Sequence, residues 1–220
     1  MRRTLDGFER DRIPATRTLT RDDSPGRRER PRVKRTRLIA QAGMIAAVYG
    51  ALTVISIQFL GFLAWGPVQL RVSEALTVVA MFTPAAIPGL TLGSIIANLY
   101  FFATGGNPVA MFDVVFGSLG TLLGAVWMWR WRKVTWLALL GPIVANALIV
   151  PAYLPVLLRS FGLTEVPVLG ISLDASWLPL YLIFALSVAI GQAIVVYGLG
   201  LPLLVGFRRI GLAERFGWGE

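Results

Sequence analysis

Long apolar stretches, separated by short polar or glycine- and proline-rich breaks, fill the chain after residue 37. They occupy residues 38–64, 67–82, 86–103, 109–129, 134–158 and 177–207. A helix of about 20 apolar residues spans the ~30 Å hydrocarbon layer of a bilayer. The pattern therefore predicts an all-α integral membrane protein with about six transmembrane helices, in which residues 38–207 form the membrane domain.

The second stretch is the shortest, and it carries Arg71 and Glu74 near its start. Residues 67–82 and 86–103 could instead form a re-entrant hairpin entered from outside, which would leave four full spans. We favour six spans because a polar helix end near the outer surface is less costly than irregular backbone at membrane depth, which must be buried in protein.

Charged residues lie almost entirely outside the apolar stretches. The formal net charge is +9, and most of it belongs to residues 1–37, an arginine-rich segment with several prolines and few large apolar residues. Such a segment cannot bury enough apolar surface to fold alone. We interpret it as a disordered basic tail that determines membrane orientation, with contact to anionic lipid as a second role. Because this charge lies outside the apolar body, no nucleic-acid partner is expected.

Two further basic segments predict the orientation. The first follows the fourth apolar stretch and lies among tryptophans, as in an aromatic interfacial belt; its basic residues are Arg130, Arg132 and Lys133. The second is residues 208–220, a short C-terminal tail. The positive-inside rule places both segments and the N-terminal tail in the cytoplasm. The sequence thus predicts a multi-pass protein of the cell membrane with both termini cytoplasmic.

Several kinds of chemistry are excluded by composition. The chain has no cysteine and no histidine, which removes disulfides, thiolate nucleophiles, histidine bases and most zinc or haem ligation. We therefore expect no enzyme activity, no metal and no cofactor. A Walker A motif is absent too, because Lys34 and Lys133 follow Val33 and Arg132 instead of glycine. If transport here uses ATP, another chain must hydrolyse it.

Small side chains recur along the first apolar stretch at a spacing of four residues. They include Ala42, Ala46, Ala47 and Ala51. This spacing lines a helix face with small side chains and allows a second helix to approach closely. The face could pack inside this protein, or it could dock onto a second membrane subunit.

Polar residues interrupt five of the six apolar stretches. They are Arg71, Glu74, Asn98, Asp113, Asn146 and Gln192. Polar groups at membrane depth are costly unless paired, so each is a candidate functional residue. A single polar residue of this kind more often forms a hydrogen bond between helices than a ligand contact. Arg71 and Glu74 are three residues apart and could form an ion pair on one helix face. Together the six indicate a polar pocket in the bundle that opens to the outside.

Several of these residues lie in blocks that resemble the QueT family of queuosine-precursor transporters. The matching blocks are GPVQLRVSEALT (66–77), FTPAAIPGL (82–90), ANL (97–99), DVVFGSL (113–119), NALIV (146–150) and YGLGLPLL (197–204). The resemblance covers nearly all of the chain after Arg37 and does not extend to the tail.

The resemblance implies a substrate-binding S component of an energy-coupling factor (ECF) importer. Such a component has six helices and no ATPase of its own, and its first helix docks onto a transmembrane coupling subunit that works with two ATPase subunits. On this basis Ala42, Ala46, Ala47 and Ala51 are the docking face. The expected cargo is a deazaguanine precursor of queuosine. The other functions considered are an S component for another vitamin or purine-like base, and a structural or regulatory membrane protein without transport.

The chemistry of a deazaguanine suits the polar residues. One edge of this base presents two adjacent N–H donors beside a carbonyl acceptor, and a carboxylate can accept both donors, which suits Glu74 or Asp113. The amides of Asn98, Asn146 and Gln192 can donate and accept at other positions. Tyr100, Phe101, Tyr153 and Trp177 are candidates for stacking on the ring.

One departure from the family concerns Gln192. It stands where the resemblance leads us to expect a glutamate. If that position faces the substrate, a charged aminomethyl group should be recognised less well here than a neutral precursor.

Overall fold

A computed structural model describes residues 31–167 and 170–215. Most of the predicted N-terminal tail therefore lies outside the described residues. Helix α1 begins at Pro31, so residues 31–37, which we assigned to the tail, are helical. Proline suits the first position of a helix because its missing N–H has no intrahelical partner there.

The membrane domain is a bundle of long apolar helices, as predicted. The helices are α1 (Pro31–Leu60), α3 (Ala86–Gly105), α4 (Ser118–Arg130), α5 (Thr135–Ser160), α6 (Trp177–Val195) and α7 (Leu201–Arg209). A 3-10 turn, Pro108–Ala110, and a π turn, Asp113–Gly117, lead into α4, and a second π turn, Val196–Gly200, joins α6 to α7. Five continuous segments of the described chain are thus long and apolar enough to span a membrane.

The second predicted span takes a different form. The one-turn helix α2, Phe62–Trp65, precedes a 3-10 helix, Val72–Met81, which we call the central helix. A 3-10 helix rises about 2.0 Å per residue, so the central helix is only ~20 Å long. All but two of its residues are buried, and such backbone is tolerated at membrane depth because protein surrounds it.

The central helix nevertheless carries the chain back across the bundle. Hydrogen bonds join Val72 to Ser56 (3.3 Å), Glu74 to Tyr49 (2.6 Å) and, just after the helix, Thr83 to Gln41 (3.2 Å). The partners lie successively earlier on α1, so the central helix runs antiparallel to it. The chain therefore passes through the bundle six times, five times as helices long and apolar enough to span a membrane and once as the shorter central helix; α3 is one of the five.

Two glycines of α3 allow it to pack against α1. A Cβ atom on Gly89 would lie 2.9 Å from the carbonyl oxygen of Ala42, and one on Gly93 would lie 2.7 Å from that of Ala46. Both distances are shorter than van der Waals contact, so only glycine fits at these positions. The pairing of 42 with 89 and of 46 with 93 shows that α1 and α3 run parallel.

The second half of the chain completes the bundle. Helices α4 and α5 pack antiparallel, with Gly124 against Pro142 and Gly120 against Asn146. An antiparallel hairpin, β1 (Glu165–Val166) and β2 (Ile171–Ser172), leads from α5 towards α6, and α8 (Leu212–Arg215) follows α7. Two apolar clusters fill the interior. One includes Ile45, Met128 and Leu204, and the other includes Phe101, Leu154 and Phe184.

The orientation of the bundle is tested by topology reporters. Fusions at Ala15, after Arg132 and after Glu220 should report a cytoplasmic location, and a fusion within residues 105–107 should report an external one, because basic segments remain on the cytoplasmic side. Paired reporters that are active on opposite sides of the membrane measure this. An external signal after Arg132 would contradict the predicted orientation.

Candidate functional site

A set of buried polar side chains, which we call the polar layer, adjoins both apolar clusters. Tyr49 belongs to the first cluster and Tyr153 to the second, and each directs its hydroxyl at a buried carboxylate. All six polar residues singled out in the sequence are buried in the structure: Arg71, Glu74, Asn98, Asp113, Asn146 and Gln192. Polar side chains from α1, the central helix and α3 to α6 are therefore enclosed in the bundle.

Arg71 brings three of these residues together. Its Nη1 donates to Asn98 Oδ1 (3.4 Å), and its Nη2 lies 3.6 Å from Asp113 Oδ2. Its Nε donates to the carbonyl oxygen of Ala64 (3.2 Å), which anchors the side chain to the one-turn helix α2. A guanidinium has several donors in a fixed plane, so it can hold an amide, a carboxylate and a backbone carbonyl at once.

Asp113 is the first residue of the π turn before α4. Its Oδ1 accepts a 2.5 Å hydrogen bond from Tyr153, and its carbonyl oxygen accepts from Asn98 Nδ2 (2.8 Å). Gly117, in the same turn, leaves room for these groups, because a Cβ atom there would lie 3.3 Å from both Asn98 Nδ2 and Asp113 Oδ1. Single π turns of this kind occur often at functional sites.

Glu74 has a different partner from the one considered in the sequence. Its Oε1 accepts a 2.6 Å hydrogen bond from Tyr49, whereas the ion pair of Arg71 is made with Asp113. The Arg71–Glu74 ion pair considered as the structural alternative is therefore absent from the ion pairs of the described residues. Glu74 therefore does not serve as the ion-pair partner of Arg71, although the spacing of the two residues had suggested this role.

Asn146 lies on α5 and Gln192 on α6. Asn146 Nδ2 donates to the carbonyl oxygen of Pro142 (3.1 Å), one turn earlier on α5, so this bond stays within the helix. Gln192 is buried, and its Oε1 has no hydrogen-bond partner. The structure thus encloses both residues without joining either to the Arg71 group by a hydrogen bond among the residues it describes.

Unpaired polar atoms are the most informative feature of this layer. Within the described ranges, the buried side-chain atoms without a hydrogen-bond partner are Gln69 Nε2, Glu74 Oε2, Asp113 Oδ2 and Gln192 Oε1. Asp113 Oδ2 does face Arg71, but at 3.6 Å this contact is electrostatic and too long for a hydrogen bond. A buried polar group left unpaired costs about 1–3 kcal/mol. Three of the four atoms are acceptors and one is a donor, so a ligand that bound all of them would have to supply several N–H groups and a carbonyl oxygen.

Two residues of this layer were missed in the sequence. Tyr49 lies beside Glu74 and donates to it. The feature of the sequence that could have identified it is a stripe of polar residues on the first apolar stretch, at Tyr49, Thr53 and Ser56. Gln69 is buried in the loop before the central helix. Its only signal was an amide side chain within an otherwise apolar run.

The aromatic residues considered for stacking have different environments. Tyr100 and Trp177 are exposed, whereas Phe101 and Tyr153 are buried. Tyr153 combines its bond to Asp113 with a ring stacked on Phe116 at 5.9 Å. An apolar groove of about 580 Å³ lies near Ala64, and it is lined by Leu60, Phe62, Leu63, Trp65, Phe161, Leu163 and Pro167.

The small residues of α1 divide between two faces. Ala42 and Ala46 are buried against Gly89 and Gly93 of α3, so these two residues pack inside the protein. Ala47 and Ala51 are exposed, as is Gly43. The exposed small stripe, defined here as Gly43, Ala47 and Ala51, repeats every four residues and leaves the backbone of α1 accessible.

Comparison with known proteins identifies relatives of the whole membrane domain. The family described as QueT transporter matches residues 39–209. The queuosine precursor transporter QueT of Lactococcus lactis subsp. cremoris (strain MG1363) is 34% identical over 85 residues, which cover 39% of this chain and 45% of that protein. The aligned region thus spans less than half of that relative. No solved structure gives a significant match.

Proposed function

Because the chain belongs to the QueT transporter family, we propose that it is the substrate-binding S component of an ECF importer and captures a queuosine precursor from outside the cell. The relative in Lactococcus lactis is named for transport of such a precursor. The single observation that supports a deazaguanine cargo is the set of four unpaired buried atoms, two of which are carboxylate oxygens. These oxygens can accept from N–H donors of the base, which has two on its exocyclic amino group beside the one on its lactam ring nitrogen.

The proposed site joins the residues of the polar layer. Glu74 and Asp113 accept from the base through Oε2 and Oδ2, the atoms that lack internal hydrogen bonds. Arg71 and Asn98 hold Asp113 in place through the contacts described above, and Gln192 adds a further acceptor. Asn146 borders the site. In this proposal the chain binds its cargo without changing it chemically, and two ATPase subunits on other chains supply the energy.

A binding experiment tests this proposal. Purified protein should bind deazaguanine bases in calorimetry, and any small molecule that co-purifies should be one of them. Queuine, guanine, riboflavin and biotin complete the panel. Binding of riboflavin or biotin alone would point to a different vitamin, and binding of none would favour a structural or regulatory protein. Comparing aminomethyl and nitrile precursors tests whether Gln192 lowers recognition of the charged form.

The partner of this S component is proposed to dock on the exposed small stripe of α1. Helices associate closely in lipid where small residues let their backbones approach. Because Ala42 and Ala46 pack against α3, only the Ala47 and Ala51 part of the predicted docking face is available to a coupling subunit.

We expect Ala47→Trp with Ala51→Trp to abolish energised uptake and leave cargo affinity unchanged. The added bulk blocks approach of the coupling subunit, yet neither side chain reaches the polar layer. Uptake in cells and calorimetry on purified protein measure the two effects. Ala103→Trp, at an exposed alanine on α3, is the matched control. Normal uptake by the doubly substituted protein would show that the partner binds elsewhere.

A further inference from the structure

Gln69 holds an unusual backbone conformation. Its φ is +47°, and it is the one non-glycine residue with a positive φ in the described part of the chain. Residues with a Cβ atom rarely adopt this region because of steric conflict with the backbone. The loop holds the conformation through backbone hydrogen bonds, from Leu70 N to the oxygen of Leu63 (2.7 Å) and from Arg71 N to that of Gln69 (3.0 Å).

The side chain of Gln69 is buried but unpaired. It is 2% exposed, and Nε2 has no hydrogen-bond partner. A strained backbone together with an unsatisfied buried donor gives no benefit to the folded protein by itself. Strain of this kind is retained where it positions a group for function.

Gln69 and Gln192 each follow directly on a residue that makes one contact between the loop and α6. Val68 packs so closely on Gly191 that a Cβ atom at Gly191 would overlap the Val68 carbonyl oxygen. The residue that follows each of them is a buried glutamine with one unpaired atom. In Gln69 that atom is a donor, Nε2, and in Gln192 it is an acceptor, Oε1. The two atoms are therefore not bonded to each other, and both remain available to a ligand.

We propose that Gln69 contacts the ligand, with Nε2 donating to a ring carbonyl oxygen while Gln192 Oε1 accepts from the neighbouring ring N–H. A donor beside an acceptor is the complement of a lactam edge, where a carbonyl adjoins an N–H. This inference rests on the proposed function and adds that the carbonyl of the base is selected by Gln69. A base with an amino group at that position would direct a donor at a donor.

Two substitutions at Gln69 separate a ligand contact from a structural role. Asparagine tolerates positive φ, and glycine adopts it freely, so Gln69→Asn and Gln69→Gly preserve the loop backbone. The amide of asparagine is one methylene shorter and glycine has none, so neither variant places an amide against the ligand. We expect each to weaken binding of 7-deazaguanine on the order of tenfold or more, with no fall in the unfolding temperature. Gln58→Asn, at an exposed glutamine of α1, is the matched control and should bind normally.

A third substitution tests which atom is recognised. The unaltered protein should prefer 7-deazaguanine to 2,6-diamino-7-deazapurine, which carries an amino group in place of the carbonyl and no hydrogen on the adjacent ring nitrogen. Gln69→Glu replaces the donor with an acceptor, so the preference should narrow by about tenfold or reverse. Unchanged affinity in Gln69→Asn and an unchanged preference in Gln69→Glu would overturn this inference and leave the proposed function standing. If the unaltered protein binds neither 7-deazaguanine nor any other deazaguanine of the binding panel, the proposed function fails and this inference with it.

Discussion

Replacing Glu74 with glutamine should weaken deazaguanine binding at least about tenfold while the protein remains folded. The structural bond of Glu74 uses Oε1, which accepts from Tyr49, and a glutamine can keep this bond through its own carbonyl oxygen. The unpaired Oε2 is replaced by an NH₂ group. A donor then faces the N–H groups of the base, and a buried group left unpaired costs about 1–3 kcal/mol.

The measurement is calorimetry on purified protein, accompanied by thermal unfolding. Two controls separate binding from stability. Tyr49→Phe removes the internal hydrogen bond without changing Oε2, so it should lower stability more than Glu74→Gln does. Glu165→Gln changes an exposed acid in the β1–β2 hairpin and should leave affinity unchanged. Unaltered affinity in a well-folded Glu74→Gln protein would remove Glu74 from the site.

Replacing Asp113 with asparagine should destabilise the protein by on the order of 3 kcal/mol. The substitution leaves Arg71 buried without its ion-pair partner, although the oxygen that accepts from Tyr153 can be retained. Breaking a buried pair from one side is costly because the remaining charge is desolvated and uncompensated. Unfolding in detergent by heat and by denaturant gives the size of the effect.

A double substitution tests whether the effect belongs to the pair. Arg71→Met with Asp113→Asn removes both charges, so much of the lost stability should return. The coupling between two residues in contact is given by the departure of the double variant from the sum of the single ones. Additive effects would contradict the pairing of Arg71 with Asp113. Arg159 with Asp174, an exposed pair, provides a comparison in which the same treatment should have little effect.

Arg71 shows why the buried polar residues could be predicted from the sequence whereas their partners could not. Its polarity within an apolar run was enough to select it. The rule that residues three apart on a helix share a face led us to consider Glu74, but Arg71 precedes the central helix and has an extended backbone, with φ −84° and ψ 104°. The helical spacing rule does not apply there. Its actual partner, Asp113, lies 3.6 Å away on a segment that is distant in sequence.

The alanines of α1 show a second limit. Their spacing of four residues predicted close helix packing, and this is confirmed at Ala42 and Ala46. Two sets of small residues on α1 have the same spacing, and the sequence of α1 alone does not show which set faces the interior. Gly89 and Gly93 on α3 determine this, because only they accept the backbone of α1 at that distance. Gln69 is a similar case, since its positive φ follows from loop hydrogen bonds and not from local residue preference.

The central helix also has a consequence for biogenesis. At ~20 Å, it is shorter than the roughly 30 Å that a segment needs to enter the bilayer as an independent unit. Because its neighbours α1 and α3 run parallel, the segment between them must return across the bundle in the opposite direction. Glu74 finds its hydrogen-bond partner, Tyr49, on α1. We therefore expect residues 72–81 to be inserted after synthesis of α3, when the longer helices offer a protein-lined passage in place of lipid.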